Sequence, residues 1–356
     1  MKVLIVCQNL GIGGVQKYTH QMYDSLKILG VDVEVKCYQD NILQKYKHIR
    51  LTTKLTGQYD YIFLNSYPIT KEEILDYKQY TKHIVAICHT DVHIFTKLTC
   101  EIIENIHSVI SVSQLIVNKL KFNSNIDFKY KIITPCIDEI ASSNTSIRIN
   151  YNLLWCGRIT PPKGAHILSR LFKQYIESHP ERRKWKLKIY GEPGRPFLKN
   201  IIKQYECDNI EVYLEAYNEH DFKKFSKDID IFINTSYMDG FPYTFLEFLS
   251  KNIPIISSNV GGIDSMIVPG KNGDLFNFKG LYVPTFPTGD DPGYQTLYDN
   301  FESEWDYNYT IFSNVLDNYL LNVDNLLNIK ANCQFNLDTF SLKNMMEKNL
   351  KDLLNL

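Results

Sequence analysis

The sequence has eight cysteines but no Cys-x-x-Cys pair, and none of the eight has a histidine partner at metal-ligand spacing. A zinc site or a disulfide framework is therefore not expected. Cys7 in LIVCQ and Cys156 in LLWCG sit inside apolar runs, where a reduced thiol acts as a small hydrophobe. This usage points to a reducing compartment. Long apolar runs are missing too. Val3-Leu4-Ile5-Val6 is too short for the apolar stretch of a signal peptide, and nothing reaches the roughly 20 residues that span a bilayer. The expectation is a soluble, cytoplasmic protein, in which sequons such as Asn308-Tyr309-Thr310 carry no meaning. Net charge is also lacking: 39 basic residues against 40 acidic leave −1, so nucleic acid is not an expected partner. The basic run Arg182-Arg183-Lys184, with Lys186 and Lys188, alternates with Trp185 and Leu187 as the polar face of a strand does.

What is present is an ordinary globular composition, 44% hydrophobic and 22% charged. The 356 residues exceed one hydrophobic core, so two domains are expected. The chain opens with KVLIVC, a glycine turn (NLGIGG), an amphipathic stretch (VQKYTHQMYDSLKILG) and VDVEVKCY. That order is strand, loop, helix, strand. The apolar runs YDYIFLNS, KHIVAICH, HSVISVS and YKIITP follow, separated in places by helix-compatible segments such as 71–80 and 114–121. A polar stretch, Ile137 to Asn150, reads as a linker, and the pattern then restarts with YNLLWCGR, WKLKIYGE, IEVYLE, IDIFINTS and IPIISS. Alternation of this kind predicts two α/β halves with parallel sheets. Gly280 to Tyr294, rich in Pro, Gly and Asp, reads as an irregular loop, and the tail from Leu342 has helical periodicity.

One stretch, YMDGFPYTFLEFLSKNIPIISSNVGGIDSM from Tyr237 to Met266, places two carboxylates around a turn that opens a helix. Pro242 suits the first helical position, where its missing N–H has no intrahelical partner. With a helix from about Tyr243 through Leu249, Asp239 lies in the loop ahead and Glu247 roughly 7–8 Å along the axis. The free N–H groups of Tyr243 and Thr244 would attract phosphate between the two acids. Such an arrangement fits a molecule with sugar on both sides of a diphosphate. Taken alone, Asp239 is a helix-start residue and Glu247 a solvated acid. The Gly261-Gly262 turn after IPIISS adds context, because open α/β sheets place ligands there.

The segment DGFPYTFLEFLSKNIPIISSNVGGIDSMI resembles the signature of family 4 glycosyltransferases: an acid, Gly-Phe-Gly/Pro, a Glu eight positions after the first acid, a strand and a Gly-Gly turn. LGIGGVQKYTHQM resembles the family's N-terminal glycine loop, and WCGRITPPKGAHIL resembles its Gly-Arg-x(4)-Lys-Gly segment. IYGEPGR and VPGKNGDLF resemble two further turns. The resemblance implies a GT-B fold, α/β, with two Rossmann-like domains whose parallel sheets face a central cleft. Residues 1–140 would form the acceptor domain and 141–335 the nucleotide-sugar donor domain, with 336–356 as a C-terminal helix crossing back and a hinge near 137–150.

The same resemblance implies a retaining, metal-independent transfer of a hexose-type sugar. The donor would be UDP-, GDP- or ADP-linked, with no further cofactor, and the acceptor a hydroxyl of a glycan or lipid. A lipid-linked acceptor would bring peripheral contact with the cytoplasmic membrane face. Arg158 and Lys163 match the pair that contacts the donor diphosphate, where fixed cations lower the barrier to departure of an anion. Glu247 matches the acceptor of ribose hydrogen bonds. Asp239 matches the carboxylate near the transferred sugar, although Glu is the usual residue there and Asp is one methylene shorter. Gly240, Phe241, Pro242, Tyr243 and Thr244 would donate backbone N–H groups, Gly13 and Gly14 match the loop approaching the donor phosphate, and His89 matches the histidine facing the donor sugar. Tyr190-Gly191-Glu192 and Glu215-Ala216-Tyr217 resemble the nucleobase wall.

A dinucleotide site is a competing reading of GIGGVQ, but Gln16 occupies the third glycine position of G-x-G-x-x-G. Asp228-Ile229-Asp230 looks like an Asp-x-Asp metal motif but precedes IFINTS directly, so its two acids are expected to cap a helix end and a strand start. Asp290-Asp291 reads as solvated turn chemistry. The alternatives in function are a sugar-nucleotide epimerase of the same architecture and a catalytically decayed nucleotide-sugar-binding or scaffold protein.

Overall fold

Runs of three to six residues build the strands, and those toward the middle of each sheet are apolar and buried almost throughout, as expected of parallel sheets covered on both faces. The computed structural model describes residues 1–11, 13–65, 70–89, 103–138, 148–194, 196–215, 227–280 and 300–356. They divide into two α/β units. The first is Met1–Glu139 with Gly240–Tyr243 and Asp338–Leu356; the second is Ile140–Asp239 with Thr244–Leu337. Parts of the expected linker (139–147) and of the expected loop (281–294, with Asp290-Asp291) lie outside the described residues.

In the first unit, β1 (Lys2–Cys7), β2 (Asp32–Cys37), β3 (Tyr61–Asn65), β4 (Ile84–Cys88), β5 (Ser108–Ser111) and β6 (Tyr130–Ile132) pair in parallel in the order β2-β1-β3-β4-β5-β6. Helices α1 (Gly14–Ile28), α2 (Lys71–Lys78) and α3 (Gln114–Ser124) connect them. Local chemistry sets the starts of two of these helices. Thr70 and Glu73 form a reciprocal capping box at α2, and the Ser113 side chain accepts from the Ile116 N–H at α3. The strand order reverses at β1, and an open α/β sheet presents its ligand crevice beyond the carboxyl ends of strands at such a switch. The tail is helical from Leu342, beginning with a wide π-type turn (Leu342–Glu347) that packs on α1.

The second unit contains β7 (Asn152–Cys156), α4 (Ala165–Ser178), β8 (Lys186–Tyr190), α5 (Pro196–Lys203), β9 (Ile210–Tyr213), β10 (Ile231–Asn234), α6 (Tyr243–Leu249), β11 (Ile255–Ser258), β12 (Gly273–Phe276), α7 (Trp305–Leu320) and α8 (Val323–Asn332). Its sheet runs β12-β11-β10-β7-β8-β9, all parallel. Counted from β7, this is the Rossmann order 3-2-1-4-5-6, with the switch between β7 and β10. The core joins Leu153, Trp155, Leu168, Phe172, Tyr175, Trp185, Ile189 and Ile233. Trp185 and Leu187 point inward and Lys186 outward, as the alternation of that run predicts. VPGKNGDLF, expected as a turn, also supplies the edge strand β12, and Pro242 falls just outside the helix it was expected to begin.

Asp228-Ile229-Asp230 divides differently from the capping expectation. Asp228 is exposed, whereas Asp230 is fully buried ahead of β10. Its Oδ2 accepts from the N–H groups of Asn150 (2.8 Å) and Asn152 (3.0 Å), and its Oδ1 takes Lys330 Nζ at 2.9 Å. The carboxylate therefore holds the start of β7 and ties it to α8, while the stretch before Lys227, where the expected helix end would fall, lies outside the described residues. Removing one member of a buried pair strands the other charge, at a cost of about 3–5 kcal/mol. Lys330→Met should destabilise the second unit by that amount. All three tryptophans (Trp155, Trp185, Trp305) belong to this unit, so their fluorescence during urea unfolding reports its transition directly.

Candidate functional site

The most densely organised loop ends lie at the carboxyl ends of β7 and β10, on either side of the switch. Gly157 N donates to Tyr190 O (3.1 Å) and Ile159 N to Glu192 O (2.9 Å), so the chain after β7 continues as an extended strip beside the loop after β8. Ile159 is buried on one side of this strip while Arg158 is exposed on the other. Among the described residues, no carboxylate pairs with Arg158. Past it, Pro161–Lys163 makes one tight turn and Gly164 reverses the chain into α4 with φ 69°. Only glycine fits there, because a Cβ would lie 2.1 Å from the Thr235 carbonyl oxygen.

Residues just after β10 hold this turn. Thr235 Oγ1 donates to Gly164 O (2.8 Å), Tyr237 N to Pro162 O (3.0 Å) and Ser236 Oγ to Lys163 O (3.4 Å), while Trp155 Nε1 reaches Lys163 O at 3.3 Å. The outcome is a short ion pair, Lys163 Nζ to Asp239 Oδ2 at 2.5 Å, with Asp239 mostly buried. Two residues separated by 76 positions in sequence, each a predicted site residue, are thus brought together. An ammonium has three donors, so Lys163 can keep Asp239 and still offer hydrogens to an anion. α4 begins beside it with no side-chain cap and no acid in its first turn, and the positive end of a helix dipole favours negative charge.

Glu247 lies on α6, half-buried. Burial pushes the Cys156 thiol up and the Glu247 carboxylate adds to the shift, which places that carboxylate near the end of β7. Tyr190 and Tyr213 stack at 5.0 Å, and the Tyr190 hydroxyl donates to Glu215. Ala216 and Tyr217 lie outside the described residues.

In the first unit, Gly13 and Gly14 open α1, which again has neither side-chain cap nor acid in its first turn. Asn9 Oδ1 shapes the loop by accepting from Gly11 N (3.0 Å) and Gln16 Nε2 (3.2 Å). His89, just after β4, meets Asn65 at the end of β3, with Nε2 to Oδ1 at 2.6 Å. A chain of hydrogen bonds sets the direction: Asn65 Nδ2 donates to Thr19 Oγ1 (2.7 Å), which donates to Val15 O (3.0 Å). The Asn65 oxygen must therefore accept, so His89 carries its proton on Nε2 and keeps Nδ1 as an acceptor. Burial depresses the His89 pKa to about 4. The run Gly240–Tyr243 clusters with this unit. A Cβ on Gly240 would come within 1.7 Å of the His89 carbonyl oxygen, and Tyr243 donates its hydroxyl to Gln21 Oε1 at 2.8 Å. Phe241 is buried; Pro242, Tyr243 and Thr244 are half-buried.

Sequence reading missed Asn65 and the Thr235-Ser236 pair. The polar ends of the strand runs YDYIFLNS and IFINTS were their signal, because polar residues closing an otherwise apolar parallel strand have to find partners.

Residues 142–279, less than half of the chain, match the model of the family described as glycosyl transferases group 1. The O-antigen biosynthesis glycosyltransferase WbnH of Escherichia coli is 30% identical over 159 residues, covering 44% of this chain and 40% of the relative. The uncharacterized glycosyltransferase MJ1059 of Methanocaldococcus jannaschii is 36% identical over 104 residues, 29% of this chain and 24% of the relative. The chain thus spans well under half the length of these curated relatives. Among solved structures, Anabaena Alr3699/HepE in complex with UDP and glucose is 15% identical, with a TM-score of 0.72 and 100% of both chains covered. The pneumococcal O-GlcNAc transferase GtfA in complex with UDP and GlcNAc is 14% identical, with a TM-score of 0.66, 100% of this chain and 98% of that one. The fold is the GT-B fold expected from the sequence.

His89 should stay neutral throughout the physiological range. Its ring resonances should not titrate between pH 8 and 5.5, and nitrogen shifts should report the Nε2–H tautomer. The sign for stability follows. With a folded pKa of about 4 against an ordinary 6.5, the unfolded chain binds more protons between those values. Stability should therefore fall as pH drops from about 6.5 toward 4, and less steeply in His89→Gln.

Proposed function

We propose that the protein is a glycosyltransferase that moves a hexose-type sugar from a nucleotide sugar, UDP-linked in the first instance, to a hydroxyl of a glycan-type acceptor. The observation that carries this reading is the Lys163–Asp239 ion pair at the start of α4, with Arg158, which pairs with no carboxylate among the described residues, on the same loop. Two cations and a helix N-terminus at a sheet's switch point suit a diphosphate. Solved structures with this fold hold UDP with glucose or with GlcNAc, which favours uridine as the base. The O-antigen glycosyltransferase relative favours a glycan acceptor.

In the proposed reaction the bond between the sugar's anomeric carbon and the diphosphate oxygen breaks, and its electron pair leaves with the nucleoside diphosphate. Arg158 and Lys163 stabilise the charge gathering on that leaving group, so the step needs no metal. The acceptor oxygen approaches from the face the diphosphate is leaving, forms the new bond, and passes its proton to a phosphate oxygen. Configuration is retained. Asp239 holds Lys163 in place and turns its other oxygen to the transferred sugar, Glu247 accepts from the ribose hydroxyls, and Gly240 to Thr244 offer backbone donors. Gly13, Gly14 and His89 are assigned to the same reaction from the first unit, with His89 Nδ1 accepting from a sugar hydroxyl.

The test incubates purified protein with UDP-, GDP- and ADP-sugars in EDTA and follows nucleoside diphosphate release with and without glycan acceptors. UDP release that increases with acceptor supports the proposal. Donor isomerised without transfer would mark an epimerase instead, and absence of binding to every nucleotide would mark a scaffold. Arg158→Ala and Lys163→Ala should each weaken UDP binding by about 1.5–3 kcal/mol, the range for charged hydrogen bonds. Unchanged calorimetric affinity in both variants would remove the diphosphate assignment.

A further inference from the structure

The notable cluster outside these loops lies on α1 and the segment following β2. His20 and Asp24 are one turn apart on α1 and so share a face. His48 comes to the same point from just beyond the short turn Gln44–Tyr46. Each imidazole takes its own carboxylate oxygen: His20 Nε2 lies 3.0 Å from Asp24 Oδ2, and His48 Nε2 lies 3.1 Å from Asp24 Oδ1. One ligating atom from each residue lies within 4.8 Å of the others.

We propose that His20, Asp24 and His48 bind a divalent first-row transition metal ion, zinc in the first instance. The donor set has the two imidazoles and one carboxylate that three-ligand zinc sites use. A tetrahedral zinc with bonds of about 2.0–2.2 Å separates its ligand atoms by roughly 3.3 Å, and the three ligating atoms here already lie within 4.8 Å of one another, so side-chain adjustments of about an ångström would bring them around one ion. The tautomer at His48 supports the same assignment. Its Nδ1 lies 3.1 Å from the Lys45 carbonyl oxygen, which can only accept, so Nδ1 carries a proton. This is the orienting bond that metal-bound histidines make.

The scaffold is set independently of any ion. Tyr46 N donates to Leu43 O (2.9 Å), Ile49 N to Tyr46 O (3.1 Å) and Arg50 N to the Tyr23 hydroxyl (3.0 Å), while the Tyr46 ring lies 4.7 Å from His20. These contacts deliver His48 to α1 with its side chain about half exposed (49%), leaving a fourth coordination position open to water. The bound ion would fasten the segment around His48 to α1. Sequence spacing hid the site: 24 residues separate Asp24 from His48.

The test uses tag-free protein stripped with EDTA and dialysed. Titration with CoCl2 should produce visible d–d absorption saturating at one equivalent, bleached by equimolar ZnCl2, and ZnCl2 alone should raise the melting temperature. His20→Gln and His48→Gln should each lower Co2+ affinity at least tenfold, with far-UV circular dichroism confirming that both variants are folded. Absence of a stoichiometric cobalt spectrum in the wild-type protein overturns the proposal and leaves the trio a surface ion-pair cluster. A spectrum that persists unchanged in both variants overturns it as well.

Discussion

The contact on which the second unit's loop architecture depends is that of Gly164 against the Thr235 carbonyl. Because β7 and β10 are neighbours in the sheet, the loops at their ends are forced together, and the approach is close enough that no side chain fits between them. From that contact follow the reversal into α4, the hydrogen bonds from Thr235, Ser236 and Tyr237, and the meeting of Lys163 with Asp239. The ion pair is short because its backbone is clamped on both sides, not because two flexible chains found each other. Exposed pairs without such support contribute little; this one is preorganised.

A comparable logic, with different chemistry, governs the first unit. Asn65 is held by a one-directional series of donors ending at a helix carbonyl, and that series fixes which nitrogen of His89 bears hydrogen. Burial then keeps the ring neutral. The Lys163–Asp239 ion pair belongs to the second unit and the neutral, oriented imidazole of His89 to the first.

Much of the fold was legible because its signals are local. Buried parallel strands must be continuous apolar runs, and KVLIVC, IVAIC and IFIN are. Edge elements were less so: GDLF pairs on one side only and lacks a strong apolar run, so β12 was read as a turn. Of the candidate site, the motif named Arg158, Lys163, Asp239 and Glu247 from local sequence, and the structure brings two of them, Lys163 and Asp239, into contact. Positions that come from tertiary packing were not legible. Asp230 gave no sequence sign that Lys330, 100 residues away, would neutralise it, nor Asn65 that it would orient His89. The three residues converging at His48 are opaque for the same reason, since no local spacing encodes them.

The two sheets differ in one further respect. In the second, three strands flank the reversal on each side; in the first, two stand on one side and four on the other. The halves are therefore not copies related by simple repetition, since converting one order into the other requires a strand to change flanks. The shorter flank of the first sheet is shielded by other means, since Val35 of β2 donates to Arg50 O and accepts from Thr52 N, laying the segment around Leu51 along the outer edge of the strand; the second sheet places two further strands beyond each of β7 and β10.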